Sequence, residues 1–297
     1  MMDAVMKQAE RVQRDRMVRH GWMKLAHLVA VILLWLGMMV APVQAIEAAE
    51  PEPLPAEPTT ADLFQAVSRL RQQAFDATNQ GDFAAAETYW SELIQKLPEV
   101  PALWSNRGNA RVSQGNYQAA IADFNQAITL SPASPDPYLN RGAAYEGLGD
   151  FQAAIADYNH VLELDSKDAA AYNNRGNAEV ALAEWNAALL DYRKAALLAP
   201  DFAIARANAA LVEYQLGQAE EAVRHLKSVV RKYPSFTDAR AALTAALWSQ
   251  GKRGEAESNW VAVVQTDQRY KDLDWVKGQR RWVPAMVTAL EKFLQLS

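Results

Sequence analysis

The sequence predicts an all-α solenoid of about six stacked helix pairs, and three features carry that prediction. One phrase recurs at constant spacing: NRGNARVSQGNYQAAIADF begins at Asn106, NRGAAYEGLGDFQAAIADY at Asn140 and NRGNAEVALAEWNAALLDY at Asn174, thirty-four residues apart each time. Small and large side chains alternate at fixed places inside the period. Glycine and proline stand where its helices must end. A unit of this length forms two helices and cannot bury its apolar face alone, so consecutive units stack and share a continuous core.

Carried along the chain without insertion or deletion, the period gives units at 67–100, 101–134, 135–168, 169–202, 203–236 and 237–270. The eighth place holds Ala74, Gly108, Gly142, Gly176, Ala210 and Thr244, and the twentieth holds Ala86, Ala120, Ala154, Ala188, Ala222 and Ala256. Small residues at both places let two helices approach closely. Trp90, Phe124, Tyr158, Tyr192, Leu226 and Trp260 at the twenty-fourth place fill the space beside those contacts. Gly81, Gly115, Gly149, Gly217 and Gly251 end the first helix at the fifteenth place, where the fourth unit has Ala183. Pro98, Pro132, Pro200 and Pro234 end the second helix, with Ser166 as the exception.

These residues resemble tetratricopeptide repeats (TPR). The resemblance implies a right-handed superhelix over 61–270, with a concave groove lined mainly by first helices that receives a protein or peptide ligand. A solenoid also needs covered ends. Residues 61–79 lengthen the first helix towards its N-terminus, and 271–297 are expected to form a C-terminal cap. Pro284 suits a first helical turn, after which Val287, Leu290, Phe293 and Leu294 share one face. The tail wording RYKDLDWV and RRW, followed by that helix, resembles the C-termini of exported repeat proteins of cyanobacteria and of the chloroplast thylakoid lumen. That likeness implies a scaffold that helps assemble or maintain a membrane-associated complex, a photosynthetic one among the candidates.

Residues 1–45 carry Lys7, Arg11, Arg14, Arg16, Arg19 and Lys24 ahead of an apolar run from Leu28 to Ala41. Val43-Gln44-Ala45 has the small-residue form of a signal-peptidase site, so the segment reads as a signal peptide cleaved after Ala45. An uncleaved membrane anchor is the alternative, reached by including the flanks of the run. Either way the repeats are expected on the non-cytoplasmic side, in a thylakoid lumen or a periplasm. Residues 46–60, IEAAEPEPLPAEPTT, combine four prolines with four glutamates and read as an extended linker.

Composition narrows the function classes. Setting aside 1–45 lowers the 30 basic and 35 acidic side chains to 24 and 32, a net charge of −8, which argues against nucleic acid as a partner. With no cysteine there is no disulfide, thiolate nucleophile or Cys-ligated zinc. Beyond the N-terminal segment only His160 and His225 remain, in different units, so no metal cluster or Ser-His-acid set is visible. The chain therefore reads as non-enzymatic and monomeric, with no cofactor. Two rival readings remain: a self-associating structural solenoid, or an enzyme with an unrecognised acidic site.

Two sets of polar residues recur. Arg107, Arg141 and Arg175 at the seventh place come and go with Asp123, Asp157 and Asp191 at the twenty-third, which points to ion pairs between facing helices rather than to ligand-binding arginines. Asn106, Asn140, Asn174 and Asn208 occupy the sixth place, joined by Asn109 and Asn177 at the ninth. The resemblance puts these places in the groove, where an amide can both donate to and accept from a peptide backbone. Hydrogen bonds to neighbouring helices are the alternative. Tyr214 and Trp248 are expected to make the C-terminal half of the groove more apolar. A subgroup of the resembled family grips a terminal carboxylate with basic first-helix residues. The fifth places here are Arg71, Ser105, Leu139, Asn173, Ala207 and Ala241, so that mode is not expected. In the tail, Trp275, Arg280, Arg281 and Trp282 read as cap residues, with a protein or lipid contact as the alternative.

Overall fold

The structure, a computed structural model, describes residues 59–296. The signal or anchor segment expected at 1–45 and linker residues 46–58 lie outside the described residues. The helices are α1 (Thr60–Gln80), α2 (Phe83–Lys96), α3 (Pro101–Ser113), α4 (Tyr117–Leu130), α5 (Pro135–Leu148), α6 (Phe151–Leu164), α7 (Ala169–Ala181), α8 (Trp185–Leu198), α9 (Ala203–Gln215), α10 (Ala219–Lys232), α11 (Thr237–Ser249) and α12 (Arg253–Thr266). A 3₁₀ turn (Gln268–Lys271), α13 (Leu273–Gly278) and α14 (Pro284–Leu296) follow. From α1 to α12, odd numbers are first helices and even numbers second helices of successive repeats.

The chain divides into two compact units between Leu103 and Trp104. In the first, α1 starts with a reciprocal cap: Thr59 Oγ1 accepts from the Asp62 N–H at 3.2 Å, and the Asp62 carboxylate accepts from the Thr59 N–H at 2.9 Å. Ala74 and Ala86 are fully buried between α1 and α2, and Phe75 meets Trp90 edge to face at 5.0 Å. The small-small-large pattern thus becomes a packed helix pair.

From α4 to α12, each second helix packs on the next first helix, and each first helix from α5 onward packs on its own second helix. A Cβ added at Gly142 would lie 2.5 Å from the Tyr158 ring, and one at Gly108 would lie 2.6 Å from Phe124. The aromatic ring therefore occupies the volume that glycine leaves empty. At the inter-helix turn, Gly149 takes φ 80°, with its N–H on the Glu146 carbonyl and the Asp150 N–H on that of Tyr145. Ala183 is drawn into the same left-handed turn at φ 59°, with the equivalent bonds from Ala183 to Val180 and from Glu184 to Glu179. The repeat geometry overrides the residue's own preference.

The tail departs from the expected cap. α14 does not stack on α12 as a seventh first helix would. It lies across the first helices, packing on α11 and reaching back to α9. The reason is visible in α11, TDARAALTAALWS, where every residue from Asp238 to Leu247 except Arg240 is buried. A helix with buried positions around nearly its whole circumference must be covered on nearly every side. Its neighbours α10 and α12 cover part of it; Met286, Val287, Leu290 and Phe293 of α14 complete the cover. Trp248 and Trp260 grip Phe293 edge to face at 5.1 and 5.2 Å.

The strained turn yields a direct test. Ala183→Gly removes the left-handed penalty at an exposed site and is expected to stabilise the protein by about 1 kcal/mol in urea denaturation.

Candidate functional site

The seventh-place arginines are engaged within their own repeats. Arg107 Nε and Nη2 donate to Asp123 at 3.0 and 2.6 Å, the matching bonds of Arg141 to Asp157 measure 2.8 and 2.6 Å, and those of Arg175 to Asp191 2.6 and 2.8 Å. Each guanidinium also lies over the fourth-place ring: Trp104 at 5.0 Å, Tyr138 at 5.5 Å and Tyr172 at 5.5 Å. The remaining arm reaches the preceding repeat, Arg141 Nη1 to Asn125 Oδ1 and Arg175 Nη1 to Asn159 Oδ1, both at 2.5 Å. Arg111 adds a further donor to Asp123 at 2.8 Å. The bidentate fork leaves the aspartates no free face for a ligand and ties one repeat to the next.

The asparagines divide. Asn177 Oδ1 accepts from Tyr192 Oη at 2.9 Å and from Asn208 Nδ2 at 3.4 Å; Asn208 Nδ2 also reaches Asn173 Oδ1, and Asn173 Nδ2 reaches Asn174 Oδ1, both at 3.3 Å. These amides form one network across α7, α8 and α9. Asn106, Asn109 and Asn140 make no side-chain hydrogen bond among the described residues and keep at least part of their surface open. Tyr214 is partly buried against the core, and Trp248 is covered by Phe293 on one side and by the Arg253 guanidinium at 5.3 Å. Trp248 keeps part of its surface open beside these two contacts.

The tail uses acids that repeat-by-repeat reading left unassigned. Asp238 Oδ1 accepts from Tyr270 Oη at 2.8 Å, Arg280 Nε at 2.9 Å and Trp282 Nε1 at 3.1 Å. Arg281, held at φ 54°, donates to Glu146 Oε2 at 2.7 Å, while Tyr158 Oη donates to Glu146 Oε1 at 2.6 Å. Gln215 Oε1 accepts the Ala285 N–H at 2.8 Å. A signal for Glu146 existed, since its place is filled by Val112, Val180, Tyr214 and Trp248 in the neighbouring repeats. Asp238 carried none, because an acid in a first helical turn reads as a partner of the helix dipole.

Burial governs the protonation of these acids. Desolvation raises Glu146 above the ordinary carboxyl value, opposed by its bonds to Tyr158 and Arg281. Glu179 is buried with Oε2 lacking a hydrogen-bond partner among the described residues, and desolvation, then the charge of Asp191, pushes it up to about 7. Among the described residues no group of three or more His, Asp or Glu side chains is placed to hold a metal ion, and no helix is long and apolar enough to cross a membrane.

Residues 108–149 match a TPR repeat model, and residues 135–168 and 173–235 match two tetratricopeptide repeat models. Residues 108–168 and 173–235 thus carry the sequence pattern of tetratricopeptide repeats. None of these TPR models is that of a catalytic domain, and the scaffold they describe is one suited to protein–protein interaction. Among solved structures, a tetratricopeptide repeat protein from Parabacteroides merdae is 21% identical, covers 78% of this chain and 93% of its own, and superposes with a TM-score of 0.59. MamA from Desulfovibrio magneticus, residue 41 to the end, is 19% identical over 58% of this chain and 97% of its own, with a TM-score of 0.52. A thermophilic TPR protein from Thermus thermophilus is 18% identical over 61% of this chain and 99% of its own, also with a TM-score of 0.52. At these identities the likeness is one of fold. A comparison with curated proteins finds no match.

Two outcomes follow. Glu179 has a folded-state pKa near 7 against an ordinary 4.5, so its burial costs nothing below pH 4.5, and stability falls as pH rises towards 7. Glu179→Gln is therefore expected to exceed the parent in stability by roughly 1–3 kcal/mol at pH 8 and to match it near pH 4.5, measured by urea denaturation. Asp238→Ala strands three donors and is expected to cost about 2 kcal/mol or more, with faster proteolysis between α13 and α14 as the local readout.

Proposed function

We propose that this protein is a non-enzymatic scaffold that binds a protein or peptide on the first-helix face of repeats two to four, beside its own docked tail. One observation carries the reading: the tail is itself a segment held by first-helix side chains. Gln215 takes its backbone N–H, Asp238 its indole and Glu146 its arginine. An amide that holds a main-chain N–H in cis can hold a partner's in trans. Asn106, Asn109 and Asn140 are the amides with unused capacity, and the network of Asn174, Asn177 and Asn208 adjoins them along the chain of first helices.

The compartment reading rests on the N-terminal sequence. A basic flank, an apolar run and Val43-Gln44-Ala45 support export or anchoring, with the repeats beyond the membrane in a thylakoid lumen or periplasm. A scaffold there, monomeric and without cofactor, serves the assembly or maintenance of a membrane-associated complex. The retained apolar segment, where uncleaved, supplies the membrane contact.

Affinity capture from membranes in mild detergent tests the binding face. Asn140→Ala with Asn174→Ala is expected to keep the parent's melting temperature and to lower recovery of the partner about tenfold, as loss of two or so hydrogen bonds would. Undiminished recovery removes this face from the proposal. Digestion of the repeats by protease added to the cytoplasmic side of sealed membranes would remove the compartment reading instead.

A further inference from the structure

Repeats five and six change the arginine arrangement. In repeats two to four an aromatic residue at the fourth place lies under an arginine at the seventh, which pairs with an aspartate at the twenty-third. In repeat five the arginine stands at the fourth place as Arg206, the seventh is Ala209 and the twenty-third is His225. Repeat six makes the same move with Arg240, Leu243 and Asn259. There the arginine is satisfied: Arg240 Nη1 donates to Asn259 Oδ1 at 3.3 Å and Nη2 to the Pro234 carbonyl at 2.9 Å.

Repeat five does not satisfy its arginine. Ala209 leaves empty the volume that Arg107, Arg141 and Arg175 fill in their repeats, and a cavity of about 290 Å³ opens between α8, α9 and α10. Arg193, Arg206, Glu213, His225 and Ser228 line it. Glu213 is the only acid among those lining residues, and both of its oxygens are taken, Oε1 by Arg193 Nη2 at 2.8 Å and Oε2 by His225 Nδ1 at 2.7 Å. The Nε of Arg206 is buried with no hydrogen-bond partner among the described residues. Asp201, the acid whose charge reaches Arg206, is held by Lys232 Nζ at 2.6 Å. A buried guanidinium nitrogen without an acceptor is costly, and the side chain that carries it borders a space large enough for one.

We infer that this cavity binds an oxyanion, a carboxylate or phosphate group that takes the acceptor role that aspartate plays in repeats two to four. Arg206 supplies the fork, Arg193 a second positive charge, and Ser228 a hydroxyl donor. The site lies among α8, α9 and α10, apart from Asn140, Glu146 and the tail, and is independent of the binding face proposed above.

Isothermal titration of the full chain in detergent micelles, with inorganic phosphate and separately with butyrate, tests the site. Saturable one-to-one binding of either probe is expected, and the probe that binds identifies the source as a phosphate or a carboxylate ligand. Arg206→Gln is expected to weaken it about tenfold or more. Ser228→Asp, which supplies an internal carboxylate, is expected to abolish binding and raise the melting temperature. Absence of saturable binding by both probes, affinity unchanged in Arg206→Gln, or a lowered melting temperature in Ser228→Asp would overturn the inference.

Discussion

A methyl group at Gly142 would stand 2.5 Å from the ring of Tyr158, and the second unit is organised around that lack of room. Because the two helices of a repeat approach until glycine meets an aromatic ring, their other side chains come into fixed register. The same approach sets Arg141 against Asp157 and brings the Tyr158 hydroxyl to Glu146. Glu146, buried and short of water, then accepts Arg281 from the far end of the chain. One steric contact thus leads through a buried acid to the docking of the tail.

Charge is handled locally along the repeats. Repeats two to four keep arginine and aspartate together, so each buried carboxylate has a bidentate donor and each guanidinium an aromatic floor. Where that set is dissolved, other groups take over: a carbonyl and an asparagine in repeat six, a histidine and a second arginine in repeat five. Among these, the fifth repeat is the one that leaves both a cavity and a buried arginine nitrogen without an acceptor among the described residues. Polar satisfaction, more than apolar packing, is what distinguishes one repeat from another here.

The fold was legible because it rests on local repetition. Glycine at the eighth place, alanine at the twentieth and an aromatic residue at the twenty-fourth recur at a constant offset, and a helix pair follows from contacts within thirty-four residues. The Arg107–Asp123, Arg141–Asp157 and Arg175–Asp191 pairs were readable for the same reason, each spanning sixteen positions of one repeat. The packing on Trp248 was not legible in this way. Its cover comes from Phe293, in a segment that the repeat period does not reach, and no periodic pattern relates the two.

The sequence by itself determined the helix pairs, their order, their turns and the ion pairs between facing helices, because those depend on residues that are neighbours in every repeat. Only the tertiary structure decided where the tail goes. α14 carries an apolar face that would suit either the end of the solenoid or the first helices of repeats five and six, and amphipathicity cannot choose between them. The choice falls to α11, buried around nearly its whole circumference, and to its Asp238 together with Gln215 and Glu146, whose donors come from a segment that the repeat period does not include.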